Sequence, residues 1–319
     1  MRSKVVFLFS LLIMAALITA CGGAPDVIEQ PSATAPAPTK PPTLPPPTDT
    51  PVPPTETPIP KPPAPEAVTF TTEDGVTLNG MYYAAAIQPA PLVIFIHWVA
   101  GDLHDWDAIA PWLQKGEPFV KTGWVDANIG LRRGDSNPPY LDSSWFPPVP
   151  QELNVGVLTF TLRGCKPSPI GCESFAPGNW YKDTKAAFEY GATLTGVDPQ
   201  RIIGIGASIG ADGAAEGCLY LNQSGKGNCL GSIALSPGDY YPHPYKQVIN
   251  DSDKDFPNTT NVCMADGKET EWCRRWLGPV TYEVVDIVNG SHGPYLLVPD
   301  GIPNALQVIL DYLVAWTVK

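Results

Sequence analysis

Four near-continuous apolar runs recur along the chain, with helix-patterned segments between them. They are Pro91–Ile96, Val155–Phe160, Arg201–Ile205 and Gly231–Leu235. A strand with one wet face alternates apolar and polar residues, whereas a run without polar breaks is buried on both faces. Such strands need layers of structure above and below them. Trp106–Leu113, Tyr181–Leu194 and Ile209 to about Leu221 read as those layers. Pro303–Thr317 closes the chain as an amphipathic helix, with Leu306, Ile309, Leu310, Leu313 and Trp316 at helical spacing. Thr260–Ala265 and Thr281–Val288 add two strands, and Val68–Thr72 and Val76–Tyr83 flank the hairpin signal Asp74-Gly75. The expected fold class is α/β, with a mostly parallel central sheet flanked by helices. It spans 67–319, about 250 residues, which is enough for one large core.

The first 66 residues stand outside that pattern. Arg2 and Lys4 precede an apolar run from Val5 to Ile18, and Ala20 then precedes Cys21. Charge, length and small-residue ending are those of a secretory signal over 1–20. The run falls short of the roughly 20 apolar residues of a membrane span. Ile18-Thr19-Ala20-Cys21 resembles the bacterial lipobox, which implies cleavage before Cys21 and lipid on that residue. Residues 24–66 hold 17 of the 38 prolines, interleaved with Ala and Thr. Proline fixes φ and donates no backbone hydrogen bond, so 21–66 reads as an extended, disordered linker. At about 3.1 Å per residue it reaches on the order of 100 Å. The expected location is the outer face of a bacterial membrane, with the lipid on Cys21 as the membrane contact.

The chain carries 20 basic against 32 acidic residues, so it has no electrostatic footprint for nucleic acid. Beyond Cys21 six cysteines fall as three close pairs: Cys165–Cys172, Cys218–Cys229 and Cys263–Cys273. Disulfides at those pairs agree with an oxidising compartment. None has the short C-x-x-C spacing and no histidine neighbours a pair in sequence, so no metal is expected.

Gly206-Ala207-Ser208-Ile209-Gly210 is a G-x-S-x-G motif directly after the run Arg201–Ile205 and opening the helix from Ile209. The strand–turn–helix setting exposes a serine Oγ at the carboxyl edge of the sheet and aims a helix N-terminus at it. Ser208 is therefore the candidate nucleophile, and a serine hydroxyl needs a base to take its proton. Among His97, His104, His243 and His292, the last follows the final strand in Asn289-Gly-Ser-His-Gly293 and is the candidate base. His97 ends the first buried run and reads as a turn-shaping residue. His104 and His243 read as exposed loop residues. The chain order Ser…acid…His puts the third group after the strand ending near Ala265. Asp266 and Glu269 both qualify, Asp266 slightly ahead, with Asp239 behind them. A Cys263–Cys273 bridge would clamp that segment.

Taken together, residues 70–318 resemble the α/β-hydrolase superfamily, in its dienelactone-hydrolase-like and esterase-like branch. The resemblance rests on His97-Trp-Val-Ala-Gly101, Arg163-Gly164, Gly206-Ala-Ser-Ile-Gly210 and Gly290-Ser-His-Gly293. It implies an oxyanion hole built from the backbone N–H of Ile209 and one from Trp98 or Val99. Three features depart from the family pattern. Trp98 stands where a small residue is usual, the Cys165–Cys172 loop replaces a His-Gly turn, and the acid does not match cleanly.

The long segment 114–153 carries Trp124, Tyr140, Trp145 and Phe146, which either line a pocket or simply cover the core. The expected activity is that of an extracytoplasmic serine hydrolase acting on a small-molecule carboxylic ester, with no cofactor. A serine peptidase or thioesterase would use the same groups. A tethered, non-catalytic binding domain on the same fold is the alternative.

Overall fold

Leu92, Val93, Ile94, Phe95 and Ile96 are wholly buried, as two covering layers require. Val93 and Phe95 face one core with Trp106, Leu306, Ile309, Leu310 and Leu313. Leu92, Ile94 and Ile96 face the other, with Trp180, Phe188, Ala214 and Leu221. The computed structural model describes residues 60–115, 138–166 and 171–318. They belong to one unit, Thr57–Lys319. The signal segment, Cys21, the linker as far as residue 59 and Trp124 lie outside the described residues.

The strands are β1 (Glu66–Thr71), β2 (Thr77–Tyr83), β3 (Ala90–Ile96), β4 (Gly156–Phe160), β5 (Cys165–Lys166), β6 (Gly171–Cys172), β7 (Val197–Ala207), β8 (Cys229–Leu235), β9 (Thr260–Ala265) and β10 (Tyr282–Asp286). The helices are α1 (Ile109–Leu113), α2 (Pro177–Thr193), α3 (Ile209–Ser224), α4 (Tyr245–Asp255), α5 (Lys268–Arg274) and α6 (Ala305–Thr317). Eight strands form one sheet in the order β1-β2-β4-β3-β7-β8-β9-β10, and β5 pairs with β6 alone. β2 runs antiparallel to β1 and β4. From β4 to β10 every neighbouring pair is parallel. After β3 the chain crosses to β4 on one side, then returns to β7 on the other. The carboxyl ends of β3 and β7 therefore flank a topological switch point, where open parallel sheets bind ligands.

Several elements differ from the sequence reading. The helix expected over 106–113 is two pieces, a turn Leu103–Trp106 and then α1. Pro111 is the reason. In one continuous helix its ring would clash with the carbonyl four residues back, whereas in the first turn of α1 it is tolerated. The helix expected from Tyr181 begins earlier, at Pro177, which occupies the first helical position. The last strand ends at Asp286, and Val288 instead bridges Ile302. α4 and α5 lie in stretches to which the sequence reading assigns no helix.

Candidate active site

Ser208 sits at the tip of the turn between β7 and α3, with φ 53° and ψ −116°. For a residue with a side chain this is a strained conformation, held by its surroundings. The Ser208 N–H donates to the Leu235 carbonyl at 2.8 Å, which extends the β7–β8 ladder into the turn. The flanking glycines remove the clashes. A Cβ on Gly206 would lie 1.8 Å from the Gly210 carbonyl oxygen, and one on Gly210 would lie 2.3 Å from that of Ile96. The turn is thus packed backbone to backbone against the end of β3, and Ser208 is only 3% exposed.

His292 arrives from the other side of the sheet. After β10 the Ile287 N–H bonds the Ala265 carbonyl at 2.8 Å, and the Gly293 N–H donates to Ser236 Oγ at 2.9 Å. These two ties fix both ends of the segment. His292 Nε2 then lies 2.7 Å from Ser208 Oγ, and Nδ1 lies 2.8 Å from Glu269 Oε1. With the Nδ1 proton donated to the carboxylate, Nε2 is the acceptor facing the serine hydroxyl.

The acid in contact is Glu269, which corrects the order in which the sequence ranks Asp266 and Glu269. Glu269 stands in the first turn of α5 rather than in a loop. Three links hold that short helix. Cys263–Cys273 ties it to β9, Thr270 Oγ1 donates to Asp286 at 2.8 Å, and Tyr282 Oη donates to the Cys273 carbonyl at 3.2 Å. Asp266 presents its backbone carbonyl to the Glu269 N–H at 3.1 Å. The Asp239 carboxylate accepts the Tyr245 N–H at the start of α4. Burial pushes the Glu269 carboxyl up, but the His292 hydrogen bond, the nearby Ser236 hydroxyl and the His292 charge outweigh it and leave it below the ordinary glutamate value. Ser236 thus serves both partners, though nothing in the sequence marks it.

Ile209 opens α3, and amides of a first helical turn have no acceptor inside their own helix. Of the two other proposed donors, the Trp98 N–H faces the buried carboxyl of Asp105, which also packs beneath Gly101. Val99 is pinned differently, its carbonyl accepting the Cys172 N–H at 2.9 Å. The Trp98 ring lies against Gly293, next to Ser208. It meets Tyr295 edge-on at 5.7 Å, and Tyr295 meets Tyr140 at 5.3 Å. Tyr140 is buried in the core, while Trp145 and Phe146 are partly buried against it.

The other histidines are committed elsewhere. His97 donates from Nδ1 to the Trp98 carbonyl at 2.6 Å and accepts the Leu162 N–H at Nε2 at 3.0 Å. Burial pushes its imidazole down, so it stays neutral. His104 is half-buried in a helical turn, 2.9 Å from Asp107, which corrects its reading as an exposed loop residue. His243 is exposed and pairs with Glu216 at 2.7 Å. Arg163 binds Asp183 and Asp74, tying α2 to the β1–β2 turn.

All three expected cysteine pairs are bonded. The fold brings His97 within 4.8 Å of the Cys165 and Cys172 sulfurs, a neighbourhood that sequence spacing does not show. Those sulfurs are bonded to each other, and both ring nitrogens of His97 already have partners.

No protein-family model and no curated protein matches this sequence. Solved structures do match its fold. A dienelactone hydrolase from Anabaena variabilis ATCC 29413 superposes with a TM-score of 0.53 at 11% identity, over 81% of this chain and 99% of that one. An alpha/beta hydrolase from Penicillium sp. sh18 gives 0.53 at 12% identity, over 80% and 100%. An esterase from Pyrococcus furiosus gives 0.51 at 16% identity, over 80% and 93%. The chain has the α/β-hydrolase fold, a mostly parallel eight-stranded sheet flanked by helices.

Proposed function

We propose that this chain is a serine hydrolase that cleaves carboxylic esters through an acyl-enzyme. The observation that carries the reading is the contact series Glu269 Oε1, His292 Nδ1, His292 Nε2 and Ser208 Oγ, at 2.8 and 2.7 Å. Ser208 Oγ attacks the ester carbonyl carbon as His292 Nε2 takes its proton. The Oγ–C bond forms and the carbonyl π pair moves onto oxygen. Glu269 stabilises the imidazolium and holds its orientation. The N–H groups of Ile209 and Val99 face the new oxyanion, in the low-dielectric setting where such donors act most strongly. The π bond then reforms, the C–O bond to the leaving alcohol breaks, and His292 returns the proton to that alcohol. Water repeats the sequence on the acyl-enzyme and releases the acid.

We propose further that the domain is exported and tethered by lipid on Cys21 through the proline-rich linker. The signal-like start, the lipobox-like Ile18–Cys21 and the three disulfides support this. Labelled palmitate should enter the native chain and not a Cys21→Ser variant.

The activity is tested with a fluorophosphonate probe and p-nitrophenyl esters of increasing acyl length. The native protein should label at Ser208 and hydrolyse the esters, and Ser208→Ala should do neither. A well-folded native protein that does not label is a binding domain instead. Cleavage of amides in preference to esters would make it a peptidase.

A further inference from the structure

Two segments that brace the nucleophile's surroundings each end in an aromatic ring, and the two rings meet. The Val99 carbonyl accepts the Cys172 N–H at 2.9 Å, and Phe175 follows three residues later, ahead of α2. On α3, one turn from Ser208, the buried Asp212 carboxylate accepts the Gly238 N–H at 2.9 Å and also the Tyr240 N–H. The Phe175 and Tyr240 ring centroids lie 6.4 Å apart, with the ring planes at 76°. Both rings are braced. Phe175 stands at 90° to Trp180, 5.3 Å away, and the buried Trp180 donates its indole N–H to the Arg163 carbonyl at 3.2 Å. The half-buried Tyr240 ring folds over Gly238, where a Cβ would lie 2.4 Å from it. Yet Phe175 is 60% exposed, the one aromatic among the large exposed apolar side chains of the described residues.

Sheet order decides which end of an ester reaches this corner. Outward from β7, which delivers Ser208, the segments bearing Glu269 and His292 follow β9 and β10 on one side. Phe175 follows β4, β5 and β6 on the other. The loop from Ser236 to Tyr240 runs between the two. At its start Ser236 Oγ accepts the Gly293 N–H beside His292, and at its end Tyr240 meets Phe175. The leaving alcohol takes its proton from His292 and so lies at the first end. The acyl group then extends toward the second. A third direction is closed, because the Trp98 ring lies against Gly293 with the buried Tyr295 and Tyr140 behind it. Two rings near a right angle form a corner in which a flat group stacks on one wall and stands edge-on to the other. Those are the two geometries that aromatic pairs favour, whereas an alkyl chain gains burial alone.

We propose that Phe175 and Tyr240 form the acyl subsite of this site, and that its substrates are esters of aromatic carboxylic acids whose aryl group occupies the corner between the two rings. Phe175 sets specificity and takes no part in the bond changes. This proposal rests on the serine-hydrolase reading above.

The hydrocinnamate, hexanoate and acetate esters of p-nitrophenol test it, because they share a leaving group and differ only in the acyl part. Native kcat/KM should be about fivefold higher for hydrocinnamate than for hexanoate, the margin of an aromatic contact over plain burial. Phe175→Ala should lower the hydrocinnamate-to-acetate ratio of kcat/KM about tenfold, chiefly through KM. Phe175→Leu keeps an apolar wall without the ring. It should abolish the preference for hydrocinnamate over hexanoate and retain that for hexanoate over acetate. Ile87→Ala is the control, since Ile87 is 57% exposed just before β3, at the opposite edge of the sheet, and the ratios should not move. Native protein that labels with fluorophosphonate at Ser208 and cleaves the acetate, but does not favour hydrocinnamate, overturns the subsite and leaves the serine hydrolase standing. A preference that survives both Phe175 variants overturns it as well. A native preference for hexanoate over hydrocinnamate that Phe175→Ala removes would make the acyl group aliphatic and sink the aromatic assignment. Native protein that never labels at Ser208 ends both readings.

Discussion

Glu269 touches His292 Nδ1 at 2.8 Å, while Asp266, three residues earlier, offers only its backbone carbonyl to the Glu269 N–H at 3.1 Å. Two acids that are nearly equivalent in sequence thus differ in structure, one a partner of the imidazole and the other a brace for the helix that carries it. Glu269→Gln keeps the shape and removes the charge that stabilises the imidazolium. It should lower kcat by a factor on the order of 10³ to 10⁴. Asp266→Asn should leave turnover within about twofold, as a solvated loop substitution does. Turnover of p-nitrophenyl acetate by the two variants, side by side, checks both; equal losses would undo the assignment.

The turn under Ser208 has no spare volume. A Cβ on Gly210 would meet two backbone oxygens, that of Ile96 at 2.3 Å and that of His97 at 2.6 Å. Neither can move without shifting the end of β3, and Trp98 and Val99 follow directly from it. Gly210→Ala should cost about 1–3 kcal/mol by overpacking. It should also lower kcat, because the Val99 amide moves with the strand end. Urea unfolding and ester turnover measure the two effects, and a variant with native values of both would contradict this account of the turn.

Much of this architecture is legible in the residues alone. The buried strands announce themselves because two-sided burial forbids polar breaks, as in Pro91–Ile96. Ser208 is legible because its strained turn demands glycine on both sides. His292 is legible because few histidines compete with it. Glu269 is harder to see. α5 has only seven residues and follows Gly267, so its sequence looks like a loop, and the side chain's direction comes from ties to Cys263 and Asp286. Ser236 lies beyond local reading for a similar reason. Its contact reaches Gly293 on the far side of the sheet, and no spacing rule connects residues so far apart in the chain.

The Cys165–Cys172 bridge joins two-residue strands whose backbone holds the segment after β3, through the Cys172 N–H and the Val99 carbonyl at 2.9 Å. Closing so short a loop restricts the unfolded chain by about 2 kcal/mol in the chain-entropy account. A Cys165→Ala/Cys172→Ala double variant should therefore unfold at lower urea concentration. Its kcat should fall further than a distant loss of that size would cause, because Val99 loses its strap. The matching control removes Cys218–Cys229, which links α3 to β8. That control should lose stability and keep kcat per folded molecule. Equal kcat for the two double variants would remove the strap from the mechanism.

Asp212 ties stability to pH. Burial, together with the charge of Asp239, pushes its carboxyl up to about 7 against the hydrogen bonds from the Gly238, Tyr240 and Tyr241 amides. In the unfolded chain the same group sits near the ordinary 3.8. Below that lower value both states hold the proton, and the contribution of Asp212 to stability is fully present. Between the two values the unfolded chain ionises and the folded one does not. The folded state then binds more protons, so stability falls as pH rises, until the folded carboxyl also ionises near pH 7. The span corresponds to about 4 kcal/mol. Other buried acids, Asp105 and Glu216 among them, are shifted the same way and add to the raw curve. The informative quantity is therefore the difference in unfolding free energy between native protein and Asp212→Asn, measured by urea titration from pH 4 to 8. It should shrink by about that amount across the range and level off above pH 7. A difference that stays flat would mean that Asp212 is already ionised at pH 4 and that its charge holds the Tyr240 loop at every pH.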